Sequence, residues 1–247
     1  MKKIVFLFFL IVCMFFIETL YAEKTRFSNE QDVTIILDGI PRIAAQEVIE
    51  IYPRVKRELE KTFKWKLNIA PTILLTNNKK TFQEITAHKL IVAVALPQKN
   101  LIVIDYSRTV ARPYTFSMIL KHELCHILLH QHITHGNMPR WLDEGVSQWA
   151  SSGISEILIN TKHSVLDEAI IAGHYISMRN LTERFPEDEK PLLLAYAESK
   201  SFVEYIVSKY GSNALLEVLA YLKEGDEIHL ALRKGLSIPL EELERSK

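Results

Sequence analysis

The chain reads as an α+β protein, with a small mixed sheet in its first half and a mostly helical C-terminal lobe. Three observations predict this. Short β-branched runs alternate with helix-spaced apolar residues up to about residue 105. Beyond Trp149 the apolar spacing is helical throughout. Between the two lies a segment, Phe116 to Leu129, that is apolar nearly all round and carries one polar sector.

Residues 1–22 open with Lys2-Lys3, continue as an apolar run from Ile4 to Ile17, and end at Leu20-Tyr21-Ala22. This is the pattern of a secretory signal peptide. The run falls short of the about 20 apolar residues of a membrane span. Leu20 is bulky for the position before a cleavage site, so an uncleaved anchor is the alternative. Membrane association through this segment goes with that alternative. The 30 basic and 30 acidic residues balance, and losing Lys2, Lys3 and Glu18 leaves 28 and 29. A charge near zero excludes a general nucleic-acid or anionic-surface binder. Cleavage removes Cys13 and leaves Cys125 alone, so no internal disulfide is expected. Residues 23–247 suffice for a single domain built as an α/β lobe over about 23–135 and a helical lobe over about 136–247.

Val33 to Leu37 predicts a strand, closed by a turn at Asp38-Gly39. Ile43, Ala44, Val48, Ile51, Val55, Leu59 and Phe63 predict a helix over Pro41–Lys64, kinked or split at Pro53. Ile69 to Thr76 predicts a second strand and Thr81 to His88 a short helix. Ile91 to Leu96 and Leu101 to Asp105 predict two more strands around Pro97-Gln98-Lys99-Asn100. In the second half, helices are expected over Val165–Ala172, Leu192–Tyr210 with Gly211 as a stop, Ala214–Glu224, and Ile228–Lys234 with Gly235 as a stop. Arg179 to Lys190 is charged and irregular, either a cleft border or a solvated loop. Glu183, Glu198 and Asp226 are expected as surface charges.

The polar sector of the central helix is His122-Glu123-Leu124-Cys125-His126. Histidines four apart differ by about 40° of rotation and one turn of rise, so both imidazoles reach one metal. Glu123, His126 and His130 fall within roughly 100° of arc from His122. Glu123 is too close in sequence for a convenient third ligand, but it reaches a water on the metal. Such a water needs a base when it attacks a peptide carbonyl. A catalytic zinc takes three protein ligands and keeps a position for water. Glu144 is the third ligand. It lies on a helix opened by Pro139, among Trp141, Leu142, Val146 and Trp149. Gln148, one turn on, is placed to hydrogen-bond a ligating imidazole. Cys125 is a small buried hydrophobe, and His130 an edge or supporting residue. His132 and His135 suit the helix end and carry no metal role.

His122 to His126 followed by Trp141-Leu142-Asp143-Glu144-Gly145 resembles the gluzincin branch of the zincin metallopeptidases, in particular the small bacterial peptidase MA-like domains. Ala195 to Val203 resembles the helix that follows in those domains, and the resemblance spans Lys79 to Gly211. It implies a zincin-like fold, one Zn²⁺ per chain on His122, His126 and Glu144, and Glu123 as general base and acid. It also implies Tyr196 as the hydroxyl donor to the oxyanion. Spacing alone places Tyr196 with Ser199, Val203, Val207 and Tyr210 on a core stripe. The resemblance further implies that the strand before the metal helix, Leu101 to Tyr106, pairs with extended substrate. An ordinary core strand is the other reading of that run. Gln148 departs from the acidic residue some gluzincins carry there. No Gly-x-Met-Glu-Asn string precedes the site, which favours an endopeptidase over an aminopeptidase. The expected protein is an exported bacterial zinc peptidase, periplasmic or secreted, acting on peptides or proteins. The rival is a catalytically inactive zincin-like binding domain.

Overall fold

The computed structural model describes residues 24–29, 32–86, 90–110, 115–134, 138–153 and 165–239. The apolar N-terminal segment and His135 lie outside them. No helix among the described residues is long and apolar enough to cross a membrane.

The sheet has five strands: β1 (Lys24–Asn29), β2 (Val33–Asp38), β3 (Thr72–Thr76), β4 (Ala93–Leu96) and β5 (Leu101–Asp105). Their order is β1-β2-β3-β5-β4. β2, β3 and β5 run parallel in the centre, and the two edge strands pair antiparallel to them. The sequence predicts four strands; β1 is the addition, and its polar, charged run gives no alternation to read.

Parallel neighbours need crossovers. Helix α1 (Ile43–Phe63) makes the first, between β2 and β3, as one unbroken helix that contains Pro53. Helix α2 (Lys79–Thr86) comes between β3 and the β4–β5 hairpin. Period-2 alternation divides the sheet's side chains between two layers. Ile35, Ile73, Ile102 and Ile104 join the main core with α1. Leu74 and Val103 face the other way, onto Phe82 of α2.

A short helix, α3 (Tyr106–Val110), leads to α4 (Thr115–His132), the predicted metal helix. Leu120, Leu124, Ile127, Leu128 and Leu129 are buried in the main core, so α4 is fixed by packing. Its C-terminal end is tied to the sheet by Gln131. That amide accepts from the Asn68 and Ile69 N–H groups at 2.8 and 3.2 Å and donates to Ile69 O and Asn100 Oδ1 at 2.9 and 2.8 Å. His132 stacks on Trp65 and bonds Lys66 O at 2.7 Å.

Helices α5 (Arg140–Ser151), α6 (Val165–Ala172), α7 (Met178–Glu183), α8 (Glu189–Tyr210), α9 (Ser212–Lys223) and α10 (Ile228–Leu236) complete the described structure. Two expectations need correction here. Gly235 does not stop a helix; it lies inside α10, where a Cβ would sit 2.8 Å from Val218 Cγ2 of α9. Close helix approach, not chain reversal, is what needs glycine there. Glu198 is buried, and its carboxylate accepts the Ile176 N–H at 3.2 Å. The stretch Arg179 to Lys190 carries most of α7 and the buried Phe185, whose ring meets Tyr196 edge-on at 5.3 Å.

Candidate metal centre

α4 and α5 build the site between them. α4 presents His122, Glu123 and His126 as its polar sector, each less than a tenth exposed. α5 begins after Pro139 in extended conformation and brings Glu144, also buried, across from them. His122 Nε2 and His126 Nε2 lie 3.1 Å apart. Glu144 Oε2 lies 3.5 Å from the first and 3.6 Å from the second. These three side chains form a group able to hold a metal ion. Glu144 Oε2 is buried and makes no hydrogen bond, a costly state for a carboxylate oxygen without a cation.

The electrostatics of the pocket favour a cation. Burial opposes a charge on His126, but the carboxylates of Asp143 and Glu144 raise its pKa well above the usual imidazole value. Burial likewise works against the Glu144 carboxylate, yet His126, His122 and Arg140 hold it well below the usual carboxylate range. Glu123 moves the opposite way. Burial raises its pKa, aided by Glu144 and opposed by His122, His126 and the Ala95 N–H. Two buried glutamates in one cleft are thus driven apart, one towards a permanent anion and one towards a proton carrier.

The residue that orients an imidazole is Asp143, not Gln148. Asp143 Oδ1 accepts from His126 Nδ1 at 2.7 Å, and its Oδ2 accepts from His130 Nε2 at 2.9 Å. The Asp143 bond to Nδ1 leaves His126 Nε2 turned towards His122 and Glu144. Ser147 Oγ stands 3.2 Å from the same Nδ1. Gln148 turns away and donates to Tyr196 O at 3.0 Å. Asp143 is the unspecified position of the Trp-Leu-x-Glu-Gly string. One helical residue is about 100° of rotation, so its carboxylate points along α4 while Glu144 points across it. The sequence signal was available: a ligating imidazole needs an acceptor, and Asp143 is the acid nearest the ligand.

His130 has the supporting place expected of it. Cys125 is fully buried behind the site, and burial pushes its thiol up to about 12. Tyr196, half-buried on α8, lines the same cleft as Glu123 and Glu144. Burial and the Glu144 charge raise its phenol pKa, so it is a hydrogen-bond donor at neutral pH.

The cleft has a volume of about 320 Å³. One wall is α4 with α5, and the other is β4 with its following turn, Ala93 to Gln98. The strand over the cleft is therefore β4. β5 lies between β3 and β4 in the sheet interior, with Ile102, Val103 and Ile104 fully buried, so its apolar run is core. Arg108 pins the chain entering β4 by donating to Ile91 O at 2.8 Å and Leu90 O at 3.0 Å.

Fold and site together define a class: a peptidase-like α+β protein with a His-His-Glu cluster under an edge strand. The family model of the peptidase MA superfamily matches residues 62–246, and the chain belongs to that superfamily. The match takes in His122–His126 and Trp141–Gly145 and extends beyond Lys79–Gly211 on either side. No curated protein matches the sequence.

Proposed function

We propose that this is a zinc-dependent peptidase, with His122, His126 and Glu144 as ligands and Glu123 as general base and acid. The observation that carries the proposal is the spacing of the three donors. Zinc bonds of about 2.0–2.1 Å in tetrahedral geometry set donors roughly 3.3–3.4 Å apart. The separations here are 3.1, 3.5 and 3.6 Å. The donor set, two imidazoles and a carboxylate, is that of a catalytic zinc with one open position. Such an ion supplies an acidified water and polarises the scissile carbonyl.

The rest is the work of the chain. Glu123, with its pKa raised, takes the proton from the attacking water and delivers it to the leaving amine. Tyr196 donates its hydroxyl hydrogen bond to the oxygen on which charge develops. Among the described residues β4 is an edge strand, and an extended peptide can add to a sheet edge through main-chain bonds. The absence of the amino-terminus anchor string from the sequence favours internal cleavage. We read residues 23–247 as one exported domain, periplasmic or secreted, with retention at the inner membrane where residues 1–22 are not cleaved.

The test is the zinc content of purified protein beside its His122→Ala variant, followed by a protein-substrate screen with Glu123→Gln as the blank. About one zinc per chain, lost on His122→Ala, is expected. Glu123→Gln should keep the zinc and lose turnover by more than about a hundredfold. Full activity in that variant overturns the mechanism. Bound zinc without any cleavage, across a broad substrate panel, supports the inactive binding domain instead.

A further inference from the structure

Arg140 stands where local rules disfavour it. It is the first residue of α5, and a cation at a helix N-terminus opposes the helix dipole. The order Arg140 then Glu144 at i,i+4 is also the poorer orientation for a helical ion pair. A residue that breaks local rules in this way points to a demand from the site. Two contacts describe that demand. Arg140 Nη2 donates to Glu144 Oε1 at 3.3 Å. The guanidinium lies over the Phe185 ring at 5.2 Å. Tyr196 lines the same cleft beside it. Phe185 is buried and holds Tyr196 edge-on, so the guanidinium rests on a fixed platform.

The two oxygens of Glu144 are thereby divided. Oε1 faces Arg140, while Oε2 faces the two imidazole Nε2 atoms. Among the described residues lining the cleft, Arg140 is the one lysine or arginine. We propose that Arg140 is a positioning residue that holds Glu144 in a one-oxygen presentation to the metal. This rests on the zinc reading above. A planar guanidinium can hold the carboxylate oxygen while lying over the Phe185 ring, which the point charge of lysine cannot. The side chain is about half exposed, at 49%, so its removal does not open the core.

The experiment compares wild type, Arg140→Ala and Arg140→Lys as full chains, by zinc competition against a chromophoric chelator and by the visible spectrum after cobalt(II) replacement. Arg140→Ala is expected to weaken zinc binding about 10- to 100-fold, the usual effect of removing a group that orients a ligand. Its cobalt spectrum should lose intensity, as a carboxylate freed to bind through both oxygens raises the coordination number. Arg140→Lys should recover part of the affinity but not the wild-type spectrum. Methylguanidinium added to Arg140→Ala should restore both. Zinc affinity within twofold of wild type and an unchanged cobalt spectrum in Arg140→Ala would overturn the proposal while leaving the zinc site standing. Failure of wild type to bind either metal would remove both.

Discussion

At Gly145 the backbones of α5 and α8 come into close contact. A Cβ there would lie 2.3 Å from Ser199 O, 2.9 Å from Ser199 C and 2.7 Å from Val203 Cγ2. The first two atoms are backbone, so no rotamer change relieves the clash. To reach ordinary contact the helices must part by about 1 Å. Overpacking costs roughly 1–3 kcal/mol, and a backbone obstacle puts Gly145→Ala at about 3. Alanine returns about 1 kcal/mol of helix propensity. The net expectation is a loss of about 2 kcal/mol, or a Tm lower by roughly 4–8 °C for a chain of this size. The displacement also moves Glu144, the next residue, so zinc affinity should fall about tenfold. Thermal unfolding and chelator competition read the two effects separately. Gly235→Ala is the control. Its Cβ meets first a methyl, Val218 Cγ2 at 2.8 Å, and lies outside the cleft lining. It should cost at most about 1 kcal/mol net and leave zinc binding unchanged. A Gly145→Ala variant as stable as wild type, or stabilised by its helix propensity, would refute the close α5–α8 contact.

Asp143→Asn removes the anionic acceptor of both His126 and His130, and a zinc titration should show affinity lower by about 10- to 100-fold. Cys125, with its thiol at about 12, should resist alkylation at pH 8 in the folded protein and react on unfolding, as read by peptide mass. Glu60 is set below its ordinary pKa: burial resists this, but Lys66 at 2.8 Å and the Leu67 N–H at 3.1 Å outweigh it. A depressed carboxylate stabilises above its unfolded pKa and loses that contribution as pH falls through the folded value. Glu60→Gln should therefore cost up to about 1 kcal/mol at pH 7 and progressively less below the usual carboxylate range, by urea unfolding at each pH.

The legible part of this protein is the part in which local chemistry and global fold agree. The two imidazoles are legible because four residues are about one turn of any helix. Glu144 is legible because an acid among Trp141, Leu142 and Val146 has no local reason to be there. The four predicted strands are legible by β-branched runs bounded by turn residues; β1 is polar and was not. What spacing could not supply is orientation across elements. Whether β4 or β5 overhangs the cleft depends on strand order, which no single run encodes. Gln148 and Asp143 lie on one helix, and only the approach of α4 decides which one meets His126. Gly235 has the position of a stop signal, and α9 makes it a packing residue instead.

The site's precision comes from the same source. Glu144 and Gly145 are adjacent, so the close contact of Gly145 between α5 and α8 also fixes the backbone that carries the Glu144 carboxylate. Ser199, whose carbonyl makes that contact, lies one turn from Tyr196 on α8. The carboxylate and the phenol are therefore held by one helix–helix contact. Arg140, Phe185 and Tyr196 meet on the cleft side of it. α4 is fixed independently, by its buried leucines and by Gln131 against the sheet. Relative motion of α4 and α5 would change the distances among His122, His126 and Glu144 together. The Asp143 bonds to His126 and His130, with Ser147 Oγ 3.2 Å from the same His126 Nδ1, are polar links that resist it, and they join the two helices beside His122, His126 and Glu144. A substitution at Asp143 should for that reason loosen the pair of helices as well as the imidazole it orients.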